Sequence, residues 1–290
     1  MQDDRGSTVP RRQLGRCLRD LREKSGSTVQ AAARALEWST AKLWRIETGQ
    51  VPMRTHDVAT MCRIYRATPE ITEALTGLAR ETRARGWWHS YGDAVPEWFS
   101  LYVGLEAAAT RVRQYEPELV PGLLQTKAYT RAFIRIECPH LTDAELDRMV
   151  AVKMHRQRLL TRLLPEPPRL EVLLSEAVLR RPIADRAAMA GQLTHLVETV
   201  QRLPHVTVRV LPLAAGPTRA SIGGPFAMLD FAGGEPTTIY CEGPTGALYL
   251  DKPAEATTYE AIWDSVATLA VDPQESMDII ASFAKEYDHD

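Results

Sequence analysis

The stretch that most constrains this chain is residues 27–49, which reads STVQAAARALEWSTAKLWRIETG. Its pattern predicts two short helices joined by a tight turn. Thr28 is placed to cap the first helix and Ser39 the second, and Gly49 is placed to end the second. Apolar residues spaced along one face of each helix predict its buried side: Val29, Ala32, Ala33 and Leu36 in the first helix, and Leu43 and Ile46 in the second.

The other side of the second helix carries small or basic residues, namely Thr40, Ala41, Lys42 and Arg45. Small alanines on the first helix allow close packing, so the pair holds one helix out toward solvent. A helix held in this way can enter the major groove of DNA with its N-terminal residues against base edges. Two amphipathic helices joined by a turn also occur in many all-helical domains, so the two helices alone leave a purely structural role open.

The stretch resembles the xenobiotic-response-element, or Cro/repressor-like, helix-turn-helix family. The matching residues are Gln30, Ala32, Ala33, Leu36, Ser39, the run Arg-Ile-Glu-Thr-Gly at 45–49, and Pro52. The resemblance implies a five-helix, lambda-repressor-like domain. It implies base contacts from Thr40, Ala41, Lys42 and Arg45, and we expect phosphate contacts from Gln30, Ser39 and Arg54.

Two positions depart from the family pattern. Glu37 stands where the turn usually carries glycine, and a left-handed backbone there would be strained. Either packing around Trp38 compensates for this strain, or the turn adopts another shape. Trp44 stands at a position that is often small or polar. We interpret a third residue, Glu47, as a structural ion-pair or capping partner rather than a DNA contact.

Charge is distributed unevenly along the 290 residues. The formal net charge of the whole chain is −2, which by itself does not indicate nucleic-acid binding. Residues 1–85, however, carry 16 Lys and Arg against 10 Asp and Glu, a net of +6, whereas residues 86–290 carry 19 against 27, a net of −8. This asymmetry is expected of a DNA-binding module joined to a different second domain, although unevenly charged solvated surfaces would also produce it.

We predict a flexible arm at 1–10, a helix-turn-helix domain at 11–85 and an α+β regulatory or partner-binding domain at 86–290, with the boundary at Gly86. The helices of the first domain are expected at about 11–24, 28–36, 39–48, 55–65 and 68–85. In the second domain we predict strands at 169–174, 205–211, 226–231 and 237–242, which form a small sheet. Its helices are predicted at about 96–113, 123–137, 143–164, 186–203, 253–270 and 273–287.

The second domain also resembles a known group. Its most specific string is Val-Pro-Gly-Leu-Leu-Gln-Thr at 120–126, and Tyr-Glu-Pro at 115–117 adds to it. These residues resemble the uncharacterised domain that follows the helix-turn-helix of WhiJ-like or antitoxin-like bacterial regulators. That resemblance implies transcriptional regulation together with a small partner protein encoded nearby. The partner- or effector-binding residues predicted here are Glu106, Tyr115, Pro121, Gln125 and Tyr129.

No catalytic motif, metal site or cofactor is predicted. Glu106, Glu116, His155 and His195 are the acid and base candidates, yet no spacing joins any two of them. The four cysteines lie far apart and are interpreted as free thiols, and no apolar run approaches a membrane span. We therefore expect a cytoplasmic, homodimeric, non-enzymatic protein that binds a double-stranded DNA operator. An antitoxin-like interaction module with autoregulatory DNA binding, or a small-molecule-sensing repressor, remains an alternative.

Overall fold

The computed structural model describes residues 8–47, 51, 53–83, 97–243 and 246–289. The chain divides into two compact units. Unit 1 comprises residues 1–108 and 161–167, and unit 2 comprises residues 109–160 and 168–290. The division therefore falls after Ala108, whereas the boundary predicted at Gly86 lies outside the described residues, as do residues 1–7 of the predicted arm.

Six helices form the described part of unit 1. They are α1 (Thr8–Lys24), α2 (Val29–Ala35), α3 (Thr40–Glu47), α4 (Thr55–Ile64), α5 (Pro69–Arg83) and α6 (Glu97–Ala108). The first five correspond to the five predicted helices, and α1 begins inside the predicted arm. Thr68 caps α5, since its hydroxyl accepts the N–H of Ile71 at 3.4 Å.

A single apolar core joins the first five helices of unit 1. Leu14 and Leu18 of α1, Leu43 of α3, Met61 of α4 and Leu75 of α5 are all at most 1% exposed. Ala32, Ala33, Leu36 and Ile46 are buried with them, as their spacing predicts. Burial of apolar area at about 25 cal/mol per Å² is the main favourable contribution to this packing.

Unit 2 is built on a mixed six-stranded sheet in the order β3-β2-β1-β4-β5-β6. The strands are β1 (Arg111–Glu116), β2 (Arg169–Ser175), β3 (Val206–Leu211), β4 (Phe226–Asp230), β5 (Thr238–Gly243) and β6 (Gly246–Leu250). The first three pair in parallel, and β4, β5 and β6 continue the sheet antiparallel. The α+β class and the hairpin of β4 and β5 are confirmed.

Two strands were not predicted. The helix expected at 96–113 ends at Ala108, and β1 follows it at the centre of the sheet. The sequence did not predict this strand because Arg111 and Arg113 are charged, and charged residues seldom occupy central strands. Their charges are compensated by partners distant in sequence: Arg111 pairs with Glu171 at 2.8 Å and Arg113 with Asp230 at 3.1 Å. The other unpredicted strand, β6, occupies the sheet edge.

The helices of unit 2 are α7 (Lys127–Glu137), α8 (Asp143–Arg156), α9 (Glu176–Arg180), α10 (Arg186–Arg202), α11 (Pro253–Leu269) and α12 (Pro273–His289). The helix predicted at 143–164 ends early, in a 3-10 turn at Gln157–Leu160, and residues 161–167 belong to unit 1. Trp263 and Val266 of α11 pack against Phe226, Met228 and Ile239 of the sheet. No helix in the described part of the chain is long and apolar enough to cross a membrane.

Candidate nucleic-acid interface

Side-chain caps fix the ends of the two helices in the predicted motif. The Thr28 hydroxyl accepts the N–H of Ala31 at 3.1 Å and so begins α2. The Ser39 hydroxyl accepts the N–H of Lys42, also at 3.1 Å, and so begins α3. Each cap pairs a backbone donor that has no partner within its own helix, which contributes about 1 kcal/mol.

The turn between α2 and α3 has the left-handed geometry that makes glycine usual there. Glu37 has φ +57°. The Trp38 N–H donates to the Ala33 carbonyl at 2.9 Å and the Glu37 N–H to Arg34 at 3.1 Å, the paired bonds of a Schellman helix end. Trp38 then packs against the core of unit 1. Of the two outcomes that the sequence left open, the structure shows the left-handed turn with Trp38 packed beside it.

The buried side of α3 is tied to α1 by an ion pair. Arg22 Nε donates to Glu47 Oε1 at 2.7 Å, and Arg22 Nη2 donates to Glu47 Oε2 at 3.0 Å. Both residues are 6% exposed, and Arg22 Nη1 also donates to the Ser27 carbonyl at 3.0 Å. The hydrogen bonds that Arg22 donates to Glu47 raise the pKa of Arg22. The interpretation of Glu47 as a structural ion-pair partner is therefore confirmed.

The backbones of α1 and α3 approach each other most closely at Gly15. A Cβ atom on this residue would lie 2.5 Å from the carbonyl oxygen of Ile46 and 2.7 Å from that of Glu47. Only glycine allows this approach without a shift of the backbone. The C-terminal turn of α3 is thus held by backbone contact as well as by the ion pair.

The four predicted base-contacting residues on the outward side of α3 differ in their exposure. Thr40, Ala41 and Arg45 are exposed. Lys42 is half-buried, and its ammonium lies 3.7 Å from the centroid of the Trp38 ring. This cation–π contact gives Lys42 a partner inside the protein, so the side chain would have to leave the ring to reach a base edge.

The three predicted phosphate-contacting residues are exposed and lie at the N-terminal ends of helices. Gln30 is in the first turn of α2, Ser39 caps α3, and Arg54 directly precedes α4. The free N–H groups and dipole at such ends favour a phosphate. Most of the predicted backbone-tracking loop, residues 48–50 and 52, lies outside the described residues.

The outward side of α3 also carries a residue that the sequence prediction did not include. Trp44 is 55% exposed. The signal was present in the helical period, because Trp44 follows Thr40 by four residues and Ala41 by three. The predicted base contacts are small or basic side chains, so that prediction leaves out a large apolar ring.

The five residues predicted to bind a partner or effector are all buried: Glu106, Tyr115, Pro121, Gln125 and Tyr129. Glu106 belongs to unit 1, where it accepts a hydrogen bond from Tyr102 at 2.9 Å. In unit 2, Gln125 donates to the Val120 carbonyl at 2.7 Å, and the Tyr129 hydroxyl accepts the Val120 N–H at 3.2 Å. These contacts shape the loop before α7, and a binding role for these residues stays a prediction.

Burial shifts the pKa values of three of the acid and base candidates. Burial, together with the nearby Glu242 carboxylate, raises the pKa of Glu116 to about 8, and Arg156 opposes this shift. Burial lowers the pKa of His155 and of His195. Within the described ranges, no group of three or more His, Cys, Asp and Glu side chains is arranged to hold a metal ion.

Two known protein families match separate parts of the chain. A profile described as a helix-turn-helix domain matches residues 13–75. A second profile, described as a domain of unknown function (DUF5753), matches residues 99–282. No curated protein and no solved structure matches the chain. The first match contains α2, its turn, α3 and α4, and therefore every base- and phosphate-contacting residue predicted above.

Proposed function

We propose that this chain, which belongs to the DUF5753 family and carries a helix-turn-helix domain ahead of that region, regulates transcription by reading a short DNA operator. The observation that carries the proposal is the presentation of α3. One side of this helix is fixed by Leu43, Ile46 and the Arg22–Glu47 ion pair, while Thr40, Ala41 and Arg45 are exposed on the other. A rigid helix with an open outward side is what reading of the major groove requires.

Base recognition is proposed to come from Thr40, Ala41, Lys42 and Arg45. Arg45 is exposed and can offer a guanidinium fork to guanine, a contact worth about 1–3 kcal/mol of discrimination against a wrong base. Lys42 contributes less, because it exchanges its contact with Trp38 for the base contact. Gln30, Ser39 and Arg54 then bind phosphates and fix the position of α3 without reading sequence.

The protein is further proposed to act in the cytoplasm as a homodimer on a roughly palindromic site. A two-fold protein with one such helix per protomer reads two half-sites about 34–36 Å apart, one turn of the double helix. The resemblance to the Cro/repressor-like group supports this arrangement. Sedimentation of the protein alone and on a selected site would measure the protomer count directly.

Selection from random double-stranded DNA, followed by affinity measurements on the selected site and on random DNA, tests the proposal. The wild-type chain should prefer its selected site by roughly a thousandfold or more, with a steep dependence on salt. Arg45→Ala should lower affinity for the selected site and leave affinity for random DNA nearly unchanged. Arg54→Ala, the matched control, should weaken both to a similar extent. If Arg45→Ala, like Arg54→Ala, lost as much affinity for random DNA as for the selected site, these roles would be contradicted.

Unit 2 is proposed to engage a small partner protein encoded nearby. The resemblance to the WhiJ-like or antitoxin-like group supports this, and so does exposed apolar surface in the loop after β3, where Leu213 is 53% and Ile222 is 96% exposed. Co-expression with the neighbouring gene products should yield a stoichiometric complex that Ile222→Ser weakens. An antitoxin role would add loss of the partner's toxicity in the complex, and a sensing role would replace the protein partner with a small molecule.

A further inference from the structure

Trp44 is the largest apolar side chain exposed on α3. Its neighbours Leu43 and Ile46 are 0% and 4% exposed, whereas Trp44 is 55% exposed. A single exposed apolar residue is common on protein surfaces and means little alone. The exposure of Trp44 is significant because Trp44 lies on α3, the helix that the proposed function places in the major groove.

Helical geometry puts the indole on the outward side of α3, between the directions of Thr40 and Ala41. At about 100° per residue, Trp44 projects about 40° from the direction of Thr40 and about 60° from that of Ala41. Arg45 lies about 100° further round. Lys42 projects about 160° away from Trp44, and its ammonium covers Trp38. Thr40, Ala41 and Trp44 together thus form an apolar strip, with Arg45 at its edge.

The chemistry of the indole limits what it can meet in that groove. Its ring is apolar, and its only polar group is one N–H donor. In the major groove guanine, adenine and cytosine present donors and acceptors, and the only apolar group among the four bases is the C5-methyl of thymine. A ring pressed against polar edges would remove water from them without replacing its hydrogen bonds, which is unfavourable.

We propose that Trp44 is a specificity-determining residue that packs against the C5-methyl group of a thymine in each operator half-site. This inference rests on the proposed function and adds the chemistry that α3 reads beside Arg45. The methyl groups of Thr40 and Ala41 extend the same apolar contact. The operator should therefore contain a thymine close to the base pair that Arg45 contacts.

Replacing single thymines by deoxyuridine in the selected site tests this, because the replacement removes only the methyl group. For the wild-type chain, one thymine in each half-site should show about a fourfold loss of affinity on replacement, as expected for one buried methyl. Trp44→Ala should bind the thymine and uracil forms of that position equally. Trp44→Phe should keep part of the difference, and Arg54→Ala should keep the full ratio at lower overall affinity.

Adding a methyl group to the DNA, instead of removing one, is a second test of the same contact. If the identified A·T pair is changed to G·C with cytosine on the thymine strand, 5-methylcytosine at that position should restore part of the wild-type affinity. Trp44→Ala should not respond to the added methyl. Circular dichroism and urea unfolding should show that Trp44→Ala folds normally, since the side chain is exposed.

The possible failures of the two proposals are distinct. If selection returns no preferred site, the proposed function itself is wrong. If a preferred site is found but wild type and Trp44→Ala lose the same affinity at every uracil, the assignment to Trp44 is wrong and the proposed function stands. If Trp44→Ala instead dissociates the protein into monomers while keeping the uracil response, the indole belongs to a protein interface and the inference is overturned.

Discussion

Gly15 shows how one residue positions α3. Because a Cβ there would lie 2.5 Å from the Ile46 carbonyl oxygen, Gly15→Ala forces α1 and the end of α3 apart. We expect this variant to lower the free energy of unfolding by about 1–3 kcal/mol, the usual effect of overpacking. Urea unfolding of the full chain, followed by circular dichroism, measures it.

Gly77 in α5 provides the matched control, since a Cβ there would meet no heavy atom within 4 Å apart from its chain neighbours and its own helix backbone. Gly77→Ala should stabilise the protein by up to about 1 kcal/mol, because alanine favours a helix interior over glycine. The close approach of α1 to α3 would be refuted by equal effects of the two substitutions.

Glu37 lies in the left-handed region at φ +57°, where a side chain is unfavourable. Glu37→Gly should raise the free energy of unfolding by roughly 0.5–1 kcal/mol, because relief of the backbone strain exceeds the entropy that glycine adds to the unfolded chain. Thermal unfolding would show a corresponding increase in the midpoint temperature.

Arg66, which also has φ +57°, closes α4 through the same pair of hydrogen bonds, from its own N–H to Arg63 and from Ala67 to Cys62. Arg66→Gly should therefore stabilise by a similar amount. A loss of stability confined to Glu37→Gly would mean that the Glu37 carboxylate makes a favourable contribution that outweighs the strain.

At the scale of elements, the Arg22–Glu47 pair connects α1 to α3. Glu47→Ala leaves a guanidinium buried without its carboxylate, so we expect a loss of about 3–5 kcal/mol in the free energy of unfolding. Affinity for the selected DNA should fall as well, because α3 loses part of its support. Urea titration and DNA binding measure the two effects separately.

Two further variants distinguish the pair from general surface electrostatics. Glu23→Ala removes an exposed ion pair with Arg19 at 2.9 Å and a longer contact with Arg22 at 3.4 Å, and should change stability little, since solvent screens the Glu23 carboxylate. The double change Arg22→Met with Glu47→Leu should recover most of the loss, because no buried charge remains. A double variant as unstable as Glu47→Ala would argue against uncompensated charge as the cause.

In unit 2, we expect Glu116 at the end of β1 to make the free energy of unfolding depend on pH. Its pKa is raised to about 8 by burial and by Glu242, so between about pH 4.5 and 8 the unfolded chain ionises this carboxyl while the folded chain does not. The Glu116 contribution therefore lowers the free energy of unfolding as pH rises through that window. Glu116→Gln should remove this decline and be more stable than wild type at about pH 8.

Comparison of the two proteins at each pH isolates Glu116 from His155 and His195, whose lowered pKa values act with the opposite sign as pH falls. Glu242→Gln should reduce the decline partly, since it removes the like charge and leaves the burial. Parallel stability curves for wild type and Glu116→Gln between about pH 5 and 8 would show that the carboxyl ionises normally.

The helices of unit 1 were predictable because their signals are local. Caps such as Thr28 and Ser39 lie within three residues of the groups they satisfy, and apolar spacing marks the buried sides. Strand β1 was not predictable in this way, since the partners of Arg111 and Arg113 lie 60 and 117 residues away. The contacts that make those arginines acceptable in a central strand exist only in the folded sheet.

In the candidate interface too, features set by nearby residues were predictable and features set by the folded structure were not. The exposure of Thr40, Ala41 and Arg45 follows from the helical period alone. The contact of Lys42 with Trp38 does not, because it depends on the turn at Glu37 that brings the indole beside α3. The sequence indicated which residues share a side of the helix, but not that the Lys42 ammonium lies over the Trp38 ring.

At the scale of the whole molecule, the charge asymmetry predicts how the acidic part affects DNA binding. Residues 86–290 carry a net charge of −8, and we expect this charge to repel DNA that approaches the basic residues 1–85. Replacing Glu198, Asp264 and Glu286, all exposed, by their amides reduces this charge to −5. At about 0.01 M salt, where the screening length is about 30 Å, affinity for random DNA should rise several-fold.

At about 0.15 M salt the screening length falls to about 8 Å, so the triple variant and wild type should bind random DNA equally. The preference for the selected site over random DNA should be the same in both proteins, because this repulsion does not depend on sequence. Charge-preserving changes at the same three positions, Glu198→Asp, Asp264→Glu and Glu286→Asp, should leave binding unchanged at both salt concentrations. An increase that persists at the higher salt would instead mean that one of these carboxylates lies directly against bound DNA.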